Sequence, residues 1–123
     1  MTLRGRLVAG IAFGMILVGT LAASAAGWSA IAVDFRNDMS TTPYGVGRGA
    51  SPAEAGTAAL AFCAKASGTN CKVVVSYTNC GAFAAGKNSV GYGMANDKKA
   101  AESNALGGCF GGNCRIVVSD CND

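Results

Sequence analysis

A chain of 123 residues carries 10 Lys and Arg against 7 Asp and Glu, with six cysteines, 18 glycines and no histidine. The missing histidine removes the commonest general base, the usual serine and cysteine triads and nearly all mixed zinc sites. No basic cluster is larger than Lys98-Lys99, so the footprint of a nucleic-acid binder is absent.

Met1 to Ala26 has the make-up of a secretory signal. Arg4 and Arg6 charge its start, Leu7 to about Leu21 is apolar, and Ala23-Ser24-Ala25 supplies a small-x-small cleavage site. The stretch from Leu7 to Ala26 is also long enough for an uncleaved anchor, but Gly10, Gly14 and Gly19 favour cleavage. The expected mature domain runs from 27 to 123. Without Arg4 and Arg6 it holds eight basic against seven acidic side chains, a net charge of +1. The expected location is secreted or periplasmic, with no stable membrane insertion once the signal is removed.

The elements come in two matching sets. Ala30-Ile31-Ala32-Val33 is a short apolar strand, followed by a polar loop from Asp34 to Pro43 and a second strand around Tyr44 to Gly47. Ser51-Pro52-Ala53-Glu54 combines an N-cap, a proline at the first helical position and a capping-box glutamate. That helix reaches about Cys63. Lys72 to Tyr77, with three consecutive valines, gives the strongest strand signal.

The order then repeats: Ala82 to Ala85, a strand at Val90, a helix capped by Asp97 and closing at Cys109, and Arg115 to Ser119. A step of 46 residues carries Tyr44-Gly45-Val46-Gly47 onto Val90-Gly91-Tyr92-Gly93, and Ala55, Ala59 and Cys63 onto Ala101, Ala105 and Cys109. The expected fold class is α+β, with two tandem ββαβ-like repeats, about 28–80 and 81–121, packed as one disulfide-stapled domain. Each helix carries a small-residue stripe at i, i+4, i+8, which lets it approach a sheet closely. Leu60, Phe62 and Leu106 are expected to fill the flanks of these helices.

Six cysteines in an exported domain of this size form a disulfide framework with 15 possible pairings. Treating the halves as copies selects Cys63–Cys71 and Cys109–Cys114, one within each unit. Cys80 and Cys121 then remain to clip the halves together. No metal or cofactor is expected.

Candidate chemistry is sparse. Glu54 and Asp97 have capping duties, and Glu102 falls where the first copy has Gly56, so the halves share no carboxylate pair. The glycines at 45 and 47 sit between strand and helix, yet lack the context of a dinucleotide fingerprint. Tyr44, Tyr77, Phe83, Tyr92 and Phe110 are expected mainly in the core. Trp28 and Phe35 are better candidates for exposure. Together with Asp34, Arg36, Asn37 and Asp38 they form the candidate partner-binding set, because the first loop is the longer of the two and loops often carry function.

Gly27-Trp28-Ser29-Ala30-Ile31-Ala32, Cys71-Lys72-Val73-Val74-Val75, Asn79-Cys80-Gly81-Ala82-Phe83-Ala84 and the helices closing at Cys63 and Cys109 together resemble the bacterial domain-of-unknown-function family 4189. The resemblance covers nearly the whole mature chain. It implies an exported α+β domain with duplicated halves and structural disulfides, and offers no catalytic residue to carry over. Some members are thought to act on other organisms outside the producing cell. The expectation is a non-enzymatic binding domain with a protein partner, possible roles being a secreted effector or inhibitor. The alternatives are an envelope hydrolase using Glu102 and Asp97, and a passive structural protein of the cell envelope.

Overall fold

Two short apolar runs build the centre of the molecule. The computed structural model describes residues 27–35, 42–110 and 112–122; residues 1–26, expected as a signal, and Arg36, Asn37 and Asp38 lie outside them. The chain forms β1 (Trp28–Asp34), β2 (Tyr44–Gly49), α1 (Pro52–Lys65), β3 (Cys71–Tyr77), β4 (Cys80–Ala85), β5 (Val90–Ala95), α2 (Lys98–Gly107) and β6 (Arg115–Cys121). Two antiparallel three-stranded sheets result, ordered β2-β1-β3 and β5-β4-β6. The class is α+β.

β1 and β4 are the middle strands, covered on both faces, and therefore read as continuous apolar runs rather than alternating ones. Ile31, Val33, Val75, Tyr77, Phe83 and Ala85 meet between the sheets. Ala30 and Ala32 point the other way, onto Ala55, Ala59 and Cys63 of α1. Ala82 and Ala84 do the same with Ala101 and Ala105 of α2. The layers run helix, sheet, sheet, helix.

The helix starts follow their sequence signals. Ser51 Oγ accepts from Glu54 N at 3.2 Å and Asp97 Oδ1 from Ala100 N at 2.8 Å. Glu54 Oε1 reaches back to Ala50 N at 2.9 Å, one residue before the N-cap amide that a capping box engages.

The small stripes then set the helix height. A Cβ placed on Gly47 would lie 2.2 Å from Ala59 N, and one on Gly91 would lie 2.2 Å from Ala105 O. Helix backbone thus rests directly on strand backbone, which only glycine permits. So close an approach leaves the bulkier residues outside. Leu60, Phe62 and Leu106, expected as flank filling, are exposed instead.

β3 and β6 each carry a register shift at the same place. Against β1 the partners move from Ile31↔Val75 to Ala32↔Val73; against β4 they move from Phe83↔Val118 to Ala84↔Ile116. The residue skipped, Val74 or Val117, reverses the alternation of the strand. Cys71 and Ile116 therefore pack on the helix side, whereas Tyr77 and Val118 join the core between the sheets.

All six cysteines are paired, as Cys63–Cys71, Cys80–Cys121 and Cys109–Cys114. Cys80–Cys121 does not clip the halves together as expected. Cys80 is the first residue of β4 and Cys121 the last of β6, and the two are direct register partners in one sheet. The chain passes from the first sheet to the second through Thr78-Asn79 alone, so the halves join covalently only there.

Candidate functional site

The cross-strand row Arg48–Ser29–Tyr77 in the first sheet corresponds to Met94–Gly81–Asp120 in the second. The bulges turn Tyr77 and Asp120 inward, so these two rows meet. Arg48 Nη2 donates to Asp120 Oδ1 at 3.0 Å, and Arg48 Nη1 donates to Asp120 Oδ2 at 3.1 Å and to Ser29 Oγ at 2.8 Å. The Tyr77 hydroxyl donates to Asp120 Oδ2 at 2.8 Å. A two-pronged guanidinium and a phenol thus hold one carboxylate across the two halves.

Tyr77 crosses to Asp120 by lying over Gly81, where a Cβ would fall 2.3 Å from its Cδ1. Burial first, then the hydrogen bond and charge of Asp120, raise the phenol well above its ordinary range, against a smaller lowering by Arg48. The phenol stays a donor. A carboxylate that accepts three hydrogen bonds from the other half acts as a fastener.

The bridge closes the flank where β2 faces β6. On the flank where β3 meets β5, Met94 stands at the place of Arg48, and Tyr77 has turned away toward Asp120. Met94 and Tyr77 therefore make no matching bridge here. Tyr92 and Met94 project from the edge strand β5, each 56% exposed. Tyr92 pairs in register with Phe83, and the Phe35 ring meets Phe83 edge-on with centroids 6.2 Å apart. Phe35, itself 40% exposed, reaches Phe83 from the end of β1, whereas Tyr92 and Met94, two apart on β5, share one apolar surface. Beside it opens a cleft of about 140 Å³ lined by Tyr77, Cys80, Met94 and Ala95 with the polar Thr78, Asn79 and Asn96.

Among the described residues expected to contact a partner, Phe35 is exposed, at the end of β1. Asp34 is buried, at 2% exposure. Its Oδ2 accepts from Thr69 N at 2.9 Å and Asn70 N at 3.4 Å, so it organises the turn before β3 and offers nothing to a partner. Trp28 is half-buried against the alanines beneath α1, at the opposite end of β1 from Phe35. Seven residues of strand separate the two by about 23 Å.

Tyr44, Tyr92 and Phe110, expected in the core, are exposed. A signal for the exposed pair on β5 lay in the 46-residue step: it sets Arg48 against Met94 and Val46 against Tyr92, a charge and a small side chain in one copy against larger apolar groups in the other.

The carboxylates of the hydrolase alternative both sit at α2. Asp97 caps it, and Glu102 Oε2 accepts from Ser119 Oγ at 2.6 Å. Among the described residues no group of three or more Cys, Asp or Glu side chains is placed to hold a metal ion.

Fold and surface together define a small disulfide-stapled α+β frame with an apolar pair exposed on its edge strand β5. Residues 28–121 match the family model described as Domain of unknown function (DUF4189), and the chain belongs to that family. No curated protein and no solved structure matches it.

Proposed function

We propose that this chain is an exported, disulfide-stabilised binding domain whose ligand is a protein, in the manner of a secreted effector or inhibitor. One observation carries the reading: Tyr92 and Met94 form an exposed apolar surface along the edge strand β5, where Met94 stands in place of the bridging Arg48. Aromatic residues and methionine are the types enriched where proteins meet, and a joined apolar surface on a small domain points to a partner more strongly than scattered exposed residues do. Three disulfides support an oxidising, extracytoplasmic compartment. No helix among the described residues is long and apolar enough to cross a membrane. The export-type sequence of residues 1–26 supports the same location.

The test is affinity capture from envelope and secreted fractions with oxidised protein as bait. Wild type is compared with Tyr92→Ala/Met94→Ala and with Leu60→Ala, an exposed change on α1. A partner retained by wild type and Leu60→Ala and lost by the double variant is expected. Equal retention by all three would reject the flank as the binding surface.

A further inference from the structure

We infer that the cleft beside Met94 receives one uncharged aromatic or branched aliphatic side chain from an extended segment of the partner polypeptide. This rests on the protein-binding reading of the flank and specifies how the partner is held.

The two halves offer an internal comparison. Where β2 faces β6, Arg48 reaches across to Asp120 and holds its carboxylate. The matching space between β5 and β3 has Met94 in place of Arg48 and Tyr77 in place of Asp120, and Tyr77 leans away over Gly81. The two residues that stand where Arg48 and Asp120 stand thus line a cleft instead of bridging it, and a group from outside completes it.

Size and charge define that group. The cleft measures about 140 Å³, and a cavity of about 150 Å³ holds a benzene ring. None of its lining residues is charged, so a Lys, Arg, Asp or Glu anchor would lose hydration without gaining a counter-ion. The Tyr77 ring, Met94, Ala95 and Cys80 offer apolar contact.

Main chain and rim define the rest of the segment. Asn79 Nδ2 donates to Asn96 Oδ1 at 3.0 Å, which leaves Asn79 Oδ1 and the Asn96 amide hydrogens to meet the peptide groups on either side of the anchor. β5 is an edge strand, the place where an extended segment adds to a sheet. A second, more polar cleft of about 300 Å³ shares Asn79, Cys80 and Asn96 and holds Asp97 and Lys98, giving the segment room to continue.

The probes are N-acetyl-phenylalaninamide, N-acetyl-leucinamide, N-acetyl-alaninamide, N-acetyl-lysinamide and chitotriose, titrated into oxidised full-length mature protein followed by amide NMR. Phenylalaninamide and leucinamide should shift Thr78–Cys80 and Met94–Asn96, binding at least about tenfold tighter than alaninamide or lysinamide, the factor that burying one such side chain supplies. Thr78→Phe at the exposed mouth and Met94→Ala in the lining should each weaken this about tenfold, while the remaining amide spectrum reports an intact fold. Equal shifts from all the amides, shifts away from the cleft, or a response to chitotriose alone would overturn the inference. Partner capture by the Tyr92–Met94 surface with an unresponsive cleft would remove the anchor and leave the protein-binding reading standing; a selective cleft with no partner captured would do the reverse.

Discussion

Tyr77 and Asp120 occupy the same position in the two copies of the fold, paired in register with Ser29 and Gly81 respectively, and they hydrogen-bond to each other across the core. Equivalent positions thus became donor and acceptor, which binds the halves together while making them unlike. The copy with Ser29 holds Arg48 through its hydroxyl. The copy with Gly81 provides the bare backbone over which the Tyr77 ring lies.

Removal of Asp120 should therefore cost more than removal of Arg48. Asp120→Ala leaves the buried Tyr77 hydroxyl without its acceptor, a loss of about 1–3 kcal/mol. The Arg48 side chain is 43% exposed, so solvent screens its share, and Arg48→Met, the residue of the other copy, should cost below about 1 kcal/mol. Thermal melts separate the two, since about 1 kcal/mol moves the midpoint of a domain this size by roughly 4–8 °C. Equal shifts for both variants would show that the ion pair, rather than the phenol, governs the bridge.

The raised phenol predicts an alkaline limit. In the unfolded chain tyrosine ionises near pH 10, while folded Tyr77 holds its proton well beyond that. A group with a folded value above its unfolded one stabilises fully below the unfolded value. That contribution drains as pH rises from about 10 toward the folded value. Wild type should lose stability above pH 10 more steeply than Tyr77→Phe. Ultraviolet titration should show one phenol fewer ionising above pH 10 in wild type than the chain holds, and Tyr77→Phe should remove that difference. Parallel stability profiles in the two proteins would disprove the effect.

Glycine positions separate two kinds of close approach. Gly81→Ala places a methyl group in the Tyr77 ring, which the side chain escapes by swinging off Asp120. The expected cost is about 1–3 kcal/mol of overpacking and lost hydrogen bonding. Gly47→Ala instead meets α1 backbone, which cannot move aside alone, and should be the more damaging change. Denaturant midpoints decide the order. A Gly47→Ala protein as stable as Gly81→Ala would mean that α1 sits higher on its sheet.

Much of the frame was legible in the sequence because local chemistry decided it. Ser51 and Asp97 announced their helices, the alanine stripes announced close packing, and the glycines at 47 and 91 lie beneath them. The site was less legible, because it depends on a one-residue skip. An unbroken strand from Cys71 would put Tyr77 on the same face as Val73, toward α1. The bulge at Val74 turns it to the core, and its counterpart at Val117 does the same for Asp120. Nothing in a run of valines announces which one is skipped. Cys80 escaped for a related reason: it follows Tyr77 so closely that it looks like the end of the first half, although the chain has already crossed to the second sheet.

That crossing yields a covalent prediction. Every disulfide lies on one side of Thr78-Asn79: Cys63–Cys71 before it, Cys80–Cys121 and Cys109–Cys114 after it. A protease site inserted between Thr78 and Asn79 and cut in the oxidised protein should release two fragments under denaturing, non-reducing conditions. Under native conditions the shared apolar core and the Asp120 bridge should keep them together. Fragments that separate only with reductant would require a disulfide between the halves. Reduction of the uncut protein should act within each half. Chain-entropy estimates assign about 2–3 kcal/mol to each of the two short loops and about 4 kcal/mol to the Cys80–Cys121 loop, so Cys80→Ala/Cys121→Ala should lower the melting midpoint more than Cys109→Ala/Cys114→Ala. The reverse order would mean that the exposed loop after α2, rather than the sheet β5-β4-β6, limits the stability of the second half.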